Sequence, residues 1–234
     1  HRIGFMSEAV KPEYFGGPLW KTGYSWLNVY WGNFFTTPSS TSWMNRVDRA
    51  TADIEKAPSY SGGLSQYNVG IGNVIGRAVI PSDPPGTITD AEISTTLQSW
   101  ISSGKLSNLG TQGAYNIFFP PGVSVSLYSD YSCSTFCDYH NSANGAKGPF
   151  YTVEPYPCTS GCNQCTSDIF DTLTSGLSEE MVELKTDMDP GTGWLIGNLE
   201  LCDYCDEHYV CNRLATGEYV NAWYDMKTSE CWKA

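Results

Sequence analysis

The sequence predicts an α/β (α+β) fold, with helices packed on a mixed, twisted sheet. Short runs of β-branched and aromatic residues alternate with longer segments whose apolar residues recur every three or four positions. The chain also has 23 Gly and 13 Pro residues, which favour frequent turns. An order of strand, helix, strand and helix is typical of a sheet with helices packed on it.

Most of the predicted sheet lies in residues 1–127. Strands are expected where β-forming residues cluster between turn residues, at 26–31, 73–80, 114–119 and 123–127. A helix is expected over residues 39–56, because its apolar residues form one stripe and Pro58 follows its end. A second helix begins near Thr89, which has Glu92 at capping-box spacing, and Gly104 is its expected stop.

Residues 128–234 form the cysteine-rich half of what we expect to be a single domain, 1–234. Residues 128–165 are predicted to be a loop region pinned by cysteines. A long helix then begins near Ser167 or Asp168, either of which can cap it. Residues 219–223 are expected to form a late strand.

The nine cysteines all follow residue 132, in local clusters. Such clusters occur in zinc knuckles and in disulfide frameworks. The acidic, Lys-poor and aromatic-rich composition favours disulfides and a secreted, extracellular protein, with His1 as the end left after a signal peptide is removed. Four bridges would leave one thiol, either free or joining two chains, so a disulfide-linked or non-covalent homodimer is an open alternative.

The net charge of −12 bears on the partners of the protein. It disfavours nucleic acid and anionic membranes, and it suits cations or neutral ligands such as sugars. No apolar run approaches the length of about 20 residues that is needed to span a bilayer.

The strongest chemical signal is a row of carboxylates on the long helix. Glu180, Glu183 and Asp187 follow at i, i+3 and i+7 along the edge of an apolar stripe, and Glu179 lies one step further round. Glu200 and Asp203 come soon after the helix. Because like charges at this spacing repel, the row implies a bound cation, an acid–base site or a solvated acidic face.

Histidines and aromatic residues give further candidates. His140 could approach the carboxylates as a metal ligand, and so could His208. An N-terminal His1 could chelate copper, but such a site needs a second histidine, for which only His140 and His208 are available. Aromatic residues near the C-terminus are candidates for a sugar-binding surface or for core packing. The sugar-binding candidates are Trp223, Tyr224 and Trp194.

Several motifs, taken in order, resemble the EXORDIUM-like (phosphate-induced) secreted proteins and their microbial relatives over nearly the whole chain. They are residues 14–18, 29–32, 116–123, Cys137-Asp138-Tyr139-His140 and 221–224. The long helix is similar to the His-Glu-x-x-Glu run of these relatives, here Glu179-Glu180-Met181-Val182-Glu183. An Asp-Pro turn, a Gly-Trp pair and the segment 200–205 follow, as in the family.

The resemblance implies a metallopeptidase-like central helix with a degenerate site. Glu180 would be the general base, and Glu179 stands where the family has its histidine ligand. Glu183, His140, Glu200 and Asp203 complete the expected ligands of a divalent cation, calcium or zinc. The resemblance also makes Cys205 a disulfide partner rather than a ligand.

Such an anionic shell would make a bound metal a poor Lewis acid, so we expect little or no hydrolysis. The leading hypothesis is a secreted, non-catalytic protein that holds a divalent cation and binds glycan or cell-wall or matrix material. The alternatives are an active zinc metallopeptidase with Glu180 as base and a structural or interaction protein without metal.

Overall fold

The computed structural model describes residues 11–163, 166–206 and 211–234. His1 and His208, two of the candidate ligands, and Cys165 lie outside the described residues. The helices are α1 (Pro38–Lys56), α2 (Asp90–Ser102), α3 (Ile169–Thr186) and α4 (Leu201–Asp206), with short 3-10 helices at Asn33–Thr36 and Gly62–Tyr67.

The strands are short in most of the chain and longest in the central sheet. They are β1 (Glu13–Tyr14), β2 (Ser25–Trp31), β3 (Asn73–Ile80), β4 (Thr87–Thr89), β5 (Gly113–Phe118), β6 (Ser124–Leu127), β7 (Asp130–Tyr131), β8 (Tyr139–Ala146), β9 (Phe150–Glu154), β10 (Trp194–Leu195), β11 (Cys211–Arg213), β12 (Tyr219–Asn221), β13 (Tyr224–Asp225) and β14 (Glu230–Cys231).

The central sheet has five strands in the order β3-β2-β5-β9-β8. The first four are parallel, and β8 pairs antiparallel with β9 at one edge. A three-stranded sheet, β4-β6-β7, and three two-stranded pairs complete the described strands. The predicted α/β (α+β) class, with a mixed sheet and packed helices, is therefore confirmed.

The caps of the helices follow the local sequence. The predicted capping box forms, with Thr89 and Glu92 each bonding the backbone of the other. Asp168 caps α3 by accepting bonds from the backbone N–H groups of Phe170 and Asp171. α1 begins at Pro38, one residue before the predicted start, with Thr37 as its cap.

The prediction that residues 128–165 form a loop region was wrong for its central part, which supplies β8 and β9. β9 is a fully buried run of five residues, Phe-Tyr-Thr-Val-Glu. β8 is the polar edge strand, rich in Asn, Ser and Gly, and its β propensity is correspondingly weak. The sheet therefore crosses the expected boundary between the halves at residue 127.

Two apolar clusters cover the two faces of the sheet. Successive residues of β2 alternate between them: Trp26 and Tyr30 lie with α1 and α3, whereas Leu27 and Val29 lie with α2. The α1–α3 cluster draws side chains from Leu19 through Trp232. This layer arrangement presses α3 against the sheet.

Three disulfides between described residues brace the C-terminal half, as the cysteine clusters predicted. Cys133–Cys158 and Cys137–Cys162 join the segment before β8 to the segment after β9, and Cys205–Cys231 ties α4 to β14. Among the described cysteines the free thiol is Cys202, which is fully buried. A buried thiol cannot join two chains without local unfolding, so Cys202 does not favour the disulfide-linked dimer.

Candidate functional site

The carboxylate row of α3 is buried rather than solvated. α3 contacts β8, β9, α1 and β12, so the helix is enclosed on several sides. Glu180 and Glu183 are each 3% exposed and Asp187 is 0% exposed, whereas Glu179 is half-buried. These three residues, Glu180, Glu183 and Asp187, therefore do not form a solvated acidic face.

Asp187 ends α3 and organises the turn that follows. Its carboxylate accepts bonds from the backbone N–H groups of Gly191, Thr192 and Gly193, at 2.6, 2.9 and 2.5 Å. A Cβ at position 193 would lie 2.1 Å from the carbonyl oxygen of Thr186, so this position needs glycine. Trp194 directly follows the turn and is the first residue of β10.

His140 lies on β8, facing the carboxylates, and both ring nitrogens are engaged. Nε2 is 2.9 Å from the carbonyl oxygen of Asp187, which can only accept, so Nε2 carries a proton. Nδ1 is 3.2 Å from Oε2 of Glu180, and Oε1 of Glu200 is 3.3 Å from Nε2. His140 thus links Glu180 to the turn, and its role as a metal ligand stays a prediction.

Three predicted ligands converge without His140. The carboxylates of Glu179, Glu183 and Asp203 each offer an oxygen, and these oxygens lie within 4.8 Å of one another. The backbone N–H of Asp203 also donates to Oε1 of Glu183, at 3.1 Å, which fixes α4 against α3. A divalent cation at a ligand distance of about 2.4 Å fits this spacing.

Two other groups with the same spacing include His140. One adds Glu180 and Glu183, and the other adds Asp187 and Glu200. In both, the imidazole would have to give up a hydrogen bond, and in the second the Asp187 carboxylate already accepts three backbone N–H bonds. The site of Glu179, Glu183 and Asp203 leaves the hydrogen bonds of His140 in place.

The electrostatics of the cluster favour either protons or a cation. Burial is the main cause that raises the pKa of Glu179, Glu180 and Glu183 well above the usual range, and neighbouring carboxylates add to it. The same causes raise the pKa of Asp138 to about 7, and burial raises that of Glu200 to about 7. At neutral pH these carboxyls therefore favour the protonated form, and a bound cation would take the place of the protons.

Three acidic residues that the sequence analysis did not select also belong to this region. Asp138, Glu154 and Asp206 line a cleft next to Glu179. Gly176 was a usable signal, because a glycine inside a helix often marks a close approach. A Cβ there would lie 1.7 Å from Oδ2 of Asp138.

The predicted sugar-binding aromatics are placed differently from expectation. Trp223 is 0% exposed and Tyr224 is 3% exposed, so their rings are core side chains and present no face to a sugar. Trp194 is half-buried and stacks on Tyr14, with ring centroids 5.3 Å apart. Tyr14 and the adjacent Phe15 are 44% and 55% exposed.

Comparisons of the chain with models of protein families, with curated proteins and with solved structures each found no match. Among the described helices, none combines the length and apolar character that crossing a membrane requires.

Proposed function

We propose that this protein is a secreted, non-catalytic relative of metallopeptidase-like proteins, and that it binds one divalent cation through Glu179, Glu183 and Asp203. The observation that carries the proposal is the convergence of these three carboxylates from α3 and α4 within 4.8 Å. Their like charges repel, most strongly at the buried Glu183, and a cation would remove that cost. The three disulfides are typical of oxidising, extracellular compartments and support secretion.

The donor set favours calcium over zinc. All three ligands are carboxylates, and the histidine nearby has both nitrogens engaged. Calcium prefers oxygen ligands and accepts irregular geometry, whereas zinc prefers imidazole and thiolate.

Two features of Glu180 favour a binding role over peptidase activity. Glu180 is 3% exposed and bonds His140, so no substrate water has a direct path to its carboxylate in this arrangement. It also lies outside the group formed by Glu179, Glu183 and Asp203. A general base must be within hydrogen-bonding reach of the proton that it abstracts.

A calorimetric titration with calcium and zinc tests the proposal. We expect about one calcium per chain, tighter than zinc, and at least about tenfold weaker binding in Glu183→Gln, which removes one charged ligand. Glu230→Gln, at an exposed position, is the matched control. Zinc binding with casein cleavage that Glu180→Gln abolishes would instead establish the peptidase, and an absence of binding would leave the metal-free structural protein.

A glycan or matrix partner is the second part of the proposal, and the stacked pair of Tyr14 and Trp194 supports it. Exposed aromatic faces suit the apolar face of a sugar ring. On an array of cell-wall and matrix glycans, we expect binding that Tyr14→Ala abolishes and that Tyr131→Ala, at another exposed tyrosine, retains. A silent array would remove this part and leave the cation site untouched.

A further inference from the structure

The cleft beside α3 is lined by both carboxylates and apolar side chains. Its volume is about 80 Å³. Asp138, Glu154, Glu179 and Asp206 supply carboxylates from four different segments of the chain. Pro155, Pro157 and Leu173 supply apolar surface, and the Cys137–Cys162 disulfide lies along the cleft.

Glu154 is the observation that points to a ligand. It is the last residue of β9, is only 2% exposed and lines the cleft. Among the described residues, its Oε1 has no hydrogen-bond partner. A buried carboxylate oxygen without a partner is costly, which implies that a donor occupies the cleft when the protein functions.

The arrangement of acceptors selects the kind of cation. Among the described acidic residues, histidines and cysteines, three sets of three residues have ligand atoms that all lie within 4.8 Å of one another, and none of these sets includes Glu154, Asp138 or Asp206. Direct coordination of a small metal ion needs oxygens at about that spacing. An ammonium group donates separate N–H bonds at about 2.8 Å, and a single carboxylate can hold it, so it does not need three converging ligand atoms.

The volume and the apolar lining of the cleft suit a ligand whose ammonium group is attached to an alkyl chain. About 10 to 15 Å³ of such a volume is enough to hold one water molecule, so the cleft has room for several groups of that size. This is enough for an ammonium and its nearest methylenes. Long cationic side chains bury their methylenes against apolar surface while the charged end reaches polar partners.

We propose that this cleft binds a primary alkylammonium group of the lysine type, with Glu154 as its principal anchor and Asp138 and Glu179 as flanking acceptors. The net charge of −12 would also attract such a cationic ligand. The inference goes beyond the cation site, because its anchor is not a ligand there. The two sites share Glu179, so they would lie side by side along α3.

Binding of n-butylammonium, with n-butanol as the neutral ligand of similar shape, tests this inference by ligand-observed NMR. The wild type should bind the ammonium and not the alcohol. Glu154→Gln keeps the shape of the side chain but removes the charge, and it should weaken binding at least about tenfold, as the loss of a charge-assisted hydrogen bond requires. Equal binding of the two ligands, or unchanged binding by Glu154→Gln, would overturn the inference.

Two further ligands distinguish a polypeptide amine from a polyamine, and one variant distinguishes the ammonium site from the cation site. Tighter binding of a capped Gly-Lys-Gly peptide than of putrescine would assign the group to a polypeptide, and the reverse order would assign it to a polyamine. Glu183 does not line the cleft, so Glu183→Gln should retain ammonium binding while losing calcium. Calcium binding without ammonium binding in the wild type would reject this inference alone, and the opposite result would reject the cation site alone.

Discussion

Without a bound cation, the protein should become less stable as the pH rises from 5 to 8. Asp138 has a folded-state pKa of about 7, compared with 3.8 for an ordinary aspartate, and Glu200 has one of about 7, compared with 4.5. A carboxyl whose pKa is raised by folding binds more protons in the folded chain. Its stabilising contribution is full below the unfolded-state pKa and is lost as the pH rises through the folded-state pKa.

The size of the effect follows from these values. Between pH 5 and pH 8, each of the two carboxyls loses about 2 to 3 kcal/mol of stabilisation, at about 1.4 kcal/mol for each pH unit of pKa difference. The raised pKa values of Glu180 and Glu183 act in the same direction. The two carboxyls together lose about 4 to 6 kcal/mol, and for a chain of 234 residues each kcal/mol lost lowers Tm by roughly 2 to 4 °C.

Urea unfolding in a chelator, followed by the fluorescence of the eight Trp residues, measures this change at constant ionic strength. Saturating calcium should restore stability most at pH 8, where the ligands release their protons most easily, and least at pH 5. Asp138→Asn should make the pH dependence shallower, whereas the exposed Asp130→Asn should not. A free energy of unfolding that is constant or rises from pH 5 to pH 8 in chelator would refute the reasoning.

Two further predictions concern groups buried beside α3. Lys185 and Glu55 are both 0% exposed, and Nζ of Lys185 lies 2.9 and 3.0 Å from the two carboxylate oxygens of Glu55. Lys185→Met should therefore lower the free energy of unfolding in urea by about 3 to 5 kcal/mol, whereas Lys227→Met, at an exposed position, should change it little. Equal unfolding midpoints for the two variants would contradict this prediction. The Cys202 thiol is fully buried, and its burial, together with the nearby charges of Glu183 and Glu179, raises its pKa. Iodoacetamide should therefore label Cys202 at least about a hundredfold more slowly in the native protein than in urea. Labelling at the same rate in both would show that α4 opens freely.

The sequence predicted the elements whose signals are local. The capping box of α2 and the Asp168 cap of α3 depend on residues two or three positions apart, and such contacts form wherever the helix does. β8 was missed because its residues are polar and its place at the sheet edge is fixed by pairing with β9. That pairing is a property of the tertiary fold and not of the segment.

The same division holds for the candidate site. Glu179 and Glu183 lie one turn apart on one helix, so their proximity follows from helical spacing alone. The convergence of Glu154 with Glu179 requires β9 to run beside α3, and the pairing of Glu55 with Lys185 joins residues 130 positions apart. Contacts between such distant segments cannot be predicted from the spacing of residues in the sequence.

The disulfides explain how so many carboxylates can be held together. Cys133–Cys158 and Cys137–Cys162 close overlapping spans of 25 residues around β8 and β9, and a single loop of this length corresponds to about 3 to 4 kcal/mol of stabilisation in the chain-entropy account. The strands between them carry His140 and Glu154, and Asp138 directly follows Cys137. Repulsion among the carboxylates would push these segments away from α3, and the two bridges act at the ends of the same segments. The two covalent bridges therefore hold together the ends of the strands that bring His140 and Glu154 to the acidic cluster.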